Sequence, residues 1–182
     1  KEPQLCVVSG SNMSGKTTLL RAVGINAVMA LAGAPVRAHR LRLSPLVIGA
    51  TLYVQDSLLA GRSRFYAEIT RLRRLVDLVK GPTPLLFLFD ELFHGTNSHD
   101  RVEGASGILH FFLDCRAIGL VTTHDLALAG IADRLASKAT NMHFEDQIVD
   151  GEMTFDYHVR SGRATRSNAL ALMTAIGLDL SR

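Results

Sequence analysis

The chain has 182 residues, of which 47% are hydrophobic, and its 20 basic and 17 acidic side chains leave a formal net charge of +3. This length and composition predict one globular domain with a sizeable core, and the small charge is no argument for nucleic-acid binding. Because no apolar stretch reaches the roughly 18 to 20 residues of a membrane-spanning helix, and residues 1–4 do not resemble a signal peptide, we expect a cytoplasmic protein with no membrane partner.

A glycine-rich segment of the pattern G-x-x-x-x-G-K-T follows the first apolar run, residues 5–8. In such a segment the two glycines let the backbone curl, so that successive N–H groups point at phosphate oxygens. Lys16 is expected to reach the β- and γ-phosphates of ATP, and the Thr17 hydroxyl to ligate Mg²⁺. A chance glycine-rich turn is the competing interpretation, which the strand before and the helix after disfavour. The predicted nucleotide-binding residues are Gly10, Ser11, Asn12, Met13, Ser14, Gly15, Lys16, Thr17 and Thr18.

Strands and helices are predicted to alternate along the rest of the chain. The spacing of apolar residues indicates helices at residues 19–31, 65–79 and 105–113, and a closing helix at 168–176. Short strands are predicted at 40–43, 47–54, 85–89 and 119–122, and a hairpin joins 141–148 to 153–159 through an Asp-Gly turn. This alternation predicts an α/β fold with a central, mostly parallel sheet flanked by helices and a peripheral antiparallel hairpin.

Two acidic residues and a histidine follow predicted strands. Asp90 and Glu91 come directly after the apolar run 85–89, and His124 follows the strand at 119–122. Because open α/β sheets bind ligands at the carboxyl ends of their strands, we expect these side chains at one rim. Asp90 is predicted to hold Mg²⁺, Glu91 to orient or deprotonate the water that attacks the γ-phosphate, and His124 to contact that phosphate or water.

A structural role is the competing interpretation for each of these residues taken alone. Acids can cap a strand by chance, and a histidine at a strand end is usually a hydrogen-bonded structural residue. Their combination with the lysine of the glycine-rich segment favours a catalytic role. The predicted catalytic residues are therefore Glu91, His124 and Lys16.

Several further segments stand out beside these residues, and the full set is 10–18, 60–65 with Glu68 downstream, 90–91, 95–98, 122–124 and 162–167. Together these segments resemble the ATPase domain of the MutS mismatch-repair family, over nearly the whole chain. The resemblance implies a P-loop NTPase fold of the ABC type. It also implies that residues 1–182 are a single ATPase domain of a longer protein.

The same resemblance implies how such a domain works. ATP and Mg²⁺ are expected at composite sites of a homodimer, with Ser63 at the signature position approaching the γ-phosphate held by the partner. His158 is expected to lie against the adenine ring, and Gln55 or Asp56 to fall near a metal- or water-sensing loop. DNA is expected to bind through upstream domains absent from this chain, with ATP hydrolysis driving conformational change on DNA.

One departure from the family pattern leaves alternatives open. The family commonly has Gly-Arg before the Gly-Thr block, whereas this chain has Phe93-His94, a titratable ring in place of a fixed charge. A nucleotide-gated dimerisation module with little hydrolysis is therefore one alternative. An ATPase of the SMC or transporter type is another, although the Leu-Ser-Gly-Gly-Gln signature of those groups is absent and residues 59–63 stand in its place.

Overall fold

Five parallel strands and one antiparallel strand form a single sheet in the computed structural model, which describes residues 2–52, 64–149 and 152–164. The strand order is β2-β3-β4-β1-β5-β6, and β6 alone runs antiparallel to its neighbour. The strands are β1 (Leu5–Ser9), β2 (Val47–Thr51), β3 (Leu85–Asp90), β4 (Ile118–Thr123), β5 (Ala139–Val149) and β6 (Glu152–Ser161). The helices are α1 (Lys16–Leu31), α2 (Arg64–Val79), α3 (Ser98–Asp114), α4 (Leu126–Ala129) and α5 (Ile131–Leu135). The prediction of an α/β fold with a mostly parallel sheet is confirmed.

The central strand β3 is buried on both faces, as its uninterrupted apolar sequence predicts. Leu85, Phe87 and Phe89 join the core on the side of α2 and α3, whereas Leu86 and Leu88 join a smaller core on the side of α1. The alternation follows from the two-residue period of a strand. On the larger side, the rings of Phe87, Phe89 and Phe112 pack against one another with centroids 4.9 to 5.7 Å apart.

Helix α2 buries a slightly different stripe from the one that its apolar residues predict. Ile69 is 42% exposed, and the buried position one turn before Leu72 belongs to Glu68, which is 5% exposed. The predicted stripe through Ile69 is therefore wrong at that position. A buried carboxyl group can take the place of an aliphatic side chain here because it accepts a hydrogen bond, which is described with the site below.

The structure also corrects two element boundaries. Residues 40–43 form no strand, and the segment before β2 is a largely exposed loop. Helix α3 begins at Ser98, ahead of the predicted start at 105, because the Asn97 side chain accepts a hydrogen bond from the Asp100 N–H at 2.9 Å and caps it.

Other predictions lie outside the described residues, namely the closing helix at 168–176, the turn at 150–151, Ser63, Gln55 and Asp56. Among the helices that the structure does describe, none combines the length and the apolar character needed to cross a membrane.

Candidate functional site

The loop between β1 and α1 has a backbone that requires glycine at both ends of the motif. Gly10 has φ 150° and Gly15 has φ 105°, a region that side chains disfavour. A Cβ atom on Gly10 would lie 3.0 Å from Ser14 Oγ and 3.1 Å from the Phe144 carbonyl oxygen. Helix α1 begins directly after this loop, so its first N–H groups, which have no partner within the helix, are presented there. The local structure is therefore suited to binding an anion.

Two serine hydroxyls in this loop make no hydrogen bond to any residue that the structure describes. Ser11 Oγ and Ser14 Oγ are both buried. A buried donor without a partner costs about 1–3 kcal/mol, so natural proteins retain few of them. Their presence beside the helix N-terminus indicates hydrogen-bonding capacity reserved for a ligand.

Lys16 is a buried cation held against the same loop. Its side chain is 4% exposed, and Nζ donates a hydrogen bond to the Ser11 carbonyl oxygen at 2.7 Å. Burial lowers the pKa of Lys16, while the carboxylates of Glu91, Asp90 and Asp146 act in the opposite direction. An anionic ligand in the loop would offer the ammonium group a stronger acceptor than a backbone carbonyl.

Asp90 links three elements at the end of β3. Thr17 Oγ1 donates to its two carboxylate oxygens at 3.1 and 3.0 Å, and Thr122 Oγ1 at the end of β4 donates to Oδ1 at 2.5 Å. The Asp90 carboxylate thus links α1, β3 and β4, and the side-chain atoms that meet there are all oxygens. Hydroxyl and carboxylate oxygens are the ligands that Mg²⁺ prefers, so Thr17 and Asp90 are the pair best suited to hold that ion.

Glu91 lies beside Asp90 but points to a different set of partners. Its backbone is left-handed, with φ 53°, and its N–H donates to the Thr122 carbonyl oxygen at 3.1 Å. Glu91 Oε1 lies 2.9 Å from His124 Nδ1 and 3.9 Å from Lys16 Nζ, whereas Oε2 lies 3.6 Å from His94 Nδ1. A carboxylate oriented by a histidine is an arrangement that can accept a proton or orient a water molecule.

The loop that follows Glu91 is held in place by Glu68 of α2. Phe93 also has a left-handed backbone, with φ 57°, and its N–H donates to Glu68 Oε1 at 2.7 Å. The Phe93 ring packs against Phe65 with centroids 6.1 Å apart. A strained backbone of this kind persists where surrounding contacts hold it in place. Here the hydrogen bond from the Phe93 N–H to the buried Glu68 carboxyl group does so.

A groove of about 660 Å³ runs from the loop toward β6. Lys16 and Glu91 line its polar part, and Phe144, Tyr157 and Val159 line the hairpin side. The register of β5 and β6 shifts between Phe144 and Asp146, so three residues of β6 stand opposite one residue of β5. Tyr157 has φ 57° in this bulge, and its ring lies 3.4 Å from the position of a Cβ on Gly15.

The predicted site residues lie in three places in the structure, which are the rim of the sheet, the groove and, for His158, outside the groove. Lys16, Thr17, Asp90, Glu91 and His124 meet at the carboxyl ends of β1, β3 and β4. The loop residues Asn12, Met13 and Gly15 and the helix residue Thr18 line the groove, and Met13 is 84% exposed. His158 is exposed and is not among the lining residues, whereas its neighbour Tyr157 is.

Sequence reasoning named Glu68 and Thr122 within segments that resemble the family, and His94 as a departure from it, but gave none of them a chemical role in the site, and it did not single out Tyr157. Thr122 is the last residue of the predicted strand 119–122 and lies two residues before His124, so its position was a usable signal. The bulge that aims Tyr157 at the loop leaves no comparable mark in the sequence.

The fold and the site define an α/β protein with a glycine-containing loop suited to binding an anion and a carboxylate-rich rim at the ends of parallel strands. A model of the family "MutS domain V" matches residues 6–180. The chain therefore belongs to the MutS family.

Several curated relatives are similar over most of this chain. The DNA mismatch repair protein MutS 2 of Haloarcula marismortui is 33% identical, over 97% of this chain and 19% of that protein. DNA mismatch repair protein MutS of Streptococcus agalactiae is 30% identical, over 96% of this chain and 20% of that protein. DNA mismatch repair protein msh3 of Aspergillus oryzae is 33% identical, over 90% of this chain and 15% of that protein. The chain thus spans about a fifth or less of the length of these relatives.

Proposed function

We propose that this chain is the ATP-binding and ATP-hydrolysing domain of a MutS-like DNA mismatch-repair protein, with a P-loop NTPase fold of the ABC type. The observation that carries the proposal is the convergence of Lys16 and Thr17 at the start of α1 with Asp90, Glu91 and His124 at the ends of β3 and β4. These residues supply a cation for phosphate, oxygen ligands for Mg²⁺ and a carboxylate for water activation within one rim.

The residues present fit ATP and Mg²⁺. The hydroxyls of Ser11 and Ser14, which have no partner among the described residues, match the need of phosphate oxygens for donors. Glycine at position 10 leaves the loop free of a side chain there. Thr17 and Asp90 would hold Mg²⁺, which supplies charge neutralisation of phosphate oxygens when bound. On the hairpin side, Phe144 and Tyr157 offer an apolar and aromatic wall for a purine ring. Tyr157 is therefore a better candidate for base stacking than His158.

Each polar residue has a role that follows from its contacts. Lys16 would exchange the Ser11 carbonyl oxygen for phosphate oxygens, because a charged acceptor binds an ammonium group more strongly. Glu91 would orient the attacking water and accept its proton, and His124 would hold the Glu91 carboxylate in position through the contact at 2.9 Å. Thr122 would fix the Asp90 carboxylate through its hydroxyl.

Dimerisation and action on DNA complete the proposal. We propose that ATP binding joins two protomers at composite sites to which Ser63 contributes, and that other parts of the protein bind DNA. The relatives named as mismatch repair proteins support the DNA-repair context.

The test is phosphate release by the full-length protein that contains this chain, with Glu91→Gln and with Glu103→Gln as the matched control. Glu103 is exposed on α3 and takes part in none of the rim contacts described above. Loss of a general base typically lowers a rate by about 100- to 10,000-fold. The rate of phosphate release by Glu91→Gln should therefore fall by that factor, while ATP binding is retained. Equal rates in the two variants would reject Glu91 as the catalytic base.

The dimer is tested with the Glu91→Gln protein, in which bound ATP is not consumed. Sedimentation velocity should show association with Mg·ATP and dissociation when the nucleotide is removed. Association by a wild-type protein that binds ATP without releasing phosphate would favour the nucleotide-gated dimerisation module. Absence of association in either protein would contradict the composite site.

A further inference from the structure

Glu91, His94 and His124 bring three metal-ligating side chains together at the rim. One ligand atom from each, a carboxylate oxygen or an imidazole nitrogen, lies within 4.8 Å of the other two. The two imidazole rings are packed edge to face, with centroids 5.4 Å apart. The carboxylate lies between them, because Oε1 is 2.9 Å from His124 Nδ1 and Oε2 is 3.6 Å from His94 Nδ1.

This geometry is close to what a tetrahedral transition-metal ion requires. Zinc binds imidazole nitrogen and carboxylate oxygen at about 2.0–2.2 Å, which separates neighbouring ligand atoms by about 3.3 Å in a tetrahedron. The distance from Oε1 to His124 Nδ1 is 2.9 Å and the distance from Oε2 to His94 Nδ1 is 3.6 Å, on either side of that value, so rotation of the carboxylate and the imidazole rings can bring one oxygen and two nitrogens around one ion. We propose that Glu91, His94 and His124 form a binding site for a transition-metal cation such as Zn²⁺.

The ligand chemistry separates this site from the one proposed for Mg²⁺. Two imidazoles and a single carboxylate suit zinc, copper or nickel, whereas Mg²⁺ prefers oxygen ligands of the kind that Thr17 and Asp90 provide. All three side chains are partly exposed, which gives an ion a route from solvent and leaves a fourth position open for water.

The neighbouring charges permit a dication at this place. Lys16 lies 3.9 Å from Glu91 Oε1, but its ammonium group is hydrogen-bonded to the Ser11 carbonyl oxygen, away from the histidines. Asp90, which adjoins Glu91 in the chain, contributes a second negative charge at the rim. Two carboxylates against one ammonium group leave the rim with a net negative charge for an incoming cation.

Occupancy of this site has a regulatory consequence, which rests on the proposed function. A metal ion bound to Glu91 withdraws electron density from the carboxylate and so makes it a weaker proton acceptor, and ligation of His124 through Nδ1 removes the orienting contact. Zinc should therefore inhibit ATP hydrolysis, and removal of zinc by a chelator should restore it. His94 confers this sensitivity, because it supplies the third ligand where the family commonly has arginine.

Binding is measured first with the metal alone, on the full-length protein without nucleotide. Co²⁺ serves as the spectroscopic probe, because tetrahedral Co²⁺ with imidazole ligands absorbs visible light, and Zn²⁺ should displace it at one ion per chain. His94→Ala and His94→Arg should each weaken binding at least about tenfold, by analogy with the cost of disturbing a ligand shell. The matched control is His99→Ala, which removes an exposed histidine of α3 outside the cluster and should leave binding unchanged.

Inhibition is measured second, with each variant compared with its own rate in the presence of a chelator. Wild type and His99→Ala should be inhibited by Zn²⁺ in excess Mg²⁺, and both His94 variants should be resistant. Equal Co²⁺ binding, or equal zinc inhibition, in wild type and the His94 variants would overturn the metal site. Co²⁺ binding that depends on His94 in a protein without ATPase activity would support the metal site and count against the proposed function alone.

Discussion

Substitution of Glu68 by alanine is expected to destabilise the fold and disturb the loop that carries Glu91. The carboxyl group is 5% exposed and accepts the Phe93 N–H at 2.7 Å, so truncation leaves a buried donor without its acceptor. That cost is about 1–3 kcal/mol, to which the loss of buried side-chain contacts adds. Because the left-handed backbone of Phe93 is itself a strain of about 1–3 kcal/mol, the loop has a reason to relax once the hydrogen bond is gone.

The expected loss for Glu68→Ala is thus about 2–4 kcal/mol in the free energy of unfolding, measured by urea denaturation. Glu68→Gln keeps an acceptor oxygen and should lose less than half as much. Glu103→Ala, on an exposed position, should change stability by no more than about 0.5 kcal/mol. If Glu68→Ala proves no more destabilising than Glu103→Ala, or if Glu68→Gln is equally damaging, the hydrogen bond to Phe93 does not have the structural role assigned to it.

Two further predictions concern the core and the buried lysine. Gly119→Ala should lower the free energy of unfolding by about 1–3 kcal/mol, because its Cβ would lie 2.4 Å from the Phe87 ring. Gly107→Ala on α3 places a Cβ where nothing lies within 4 Å, so it should raise the free energy of unfolding in the same denaturation assay. Burial lowers the pKa of Lys16, so the folded chain binds fewer protons than the unfolded chain between the lowered and the ordinary value. Stability relative to Lys16→Met should therefore rise with pH across that window, by at most about 1.4 kcal/mol per pH unit, and a flat difference between the two unfolding curves would contradict the assignment.

The sequence was most informative where a local rule determines the structure. The uninterrupted apolar run at 85–89 predicted a central strand, and β3 occupies Leu85–Asp90 with both faces buried. The glycine spacing of the first loop predicted a sharp turn between a strand and a helix, and both glycines have positive φ. Each of these depends on neighbouring residues alone, so the pattern of the sequence carries the information.

Features that depend on contacts between distant residues were harder to predict. Glu68 was named only as part of the family resemblance, downstream of residues 60–65, but its role depends on the Phe93 N–H, which lies 25 residues away. The apolar spacing of α2 favoured Ile69 at the buried face, because no local rule says that a carboxyl group will be needed there. The position of the Tyr157 ring similarly depends on a bulge. The structure shows this bulge as a shift of register between β5 and β6, and no local pattern of the sequence indicates it.

The geometry of the rim depends on strand register, and the core sets that register. Asp90 stands directly opposite Thr122 in the parallel pairing of β3 and β4, which allows the hydrogen bond between their side chains. Three residues earlier in each strand, Phe87 stands opposite Gly119, where the missing side chain makes room for the ring. A slip of one residue would bring a side chain under that ring and turn Thr122 to the other face of the sheet. The fit of Phe87 to Gly119 thus fixes the alignment of Asp90 and Thr122, which links the packing of the core to the chemistry of the site.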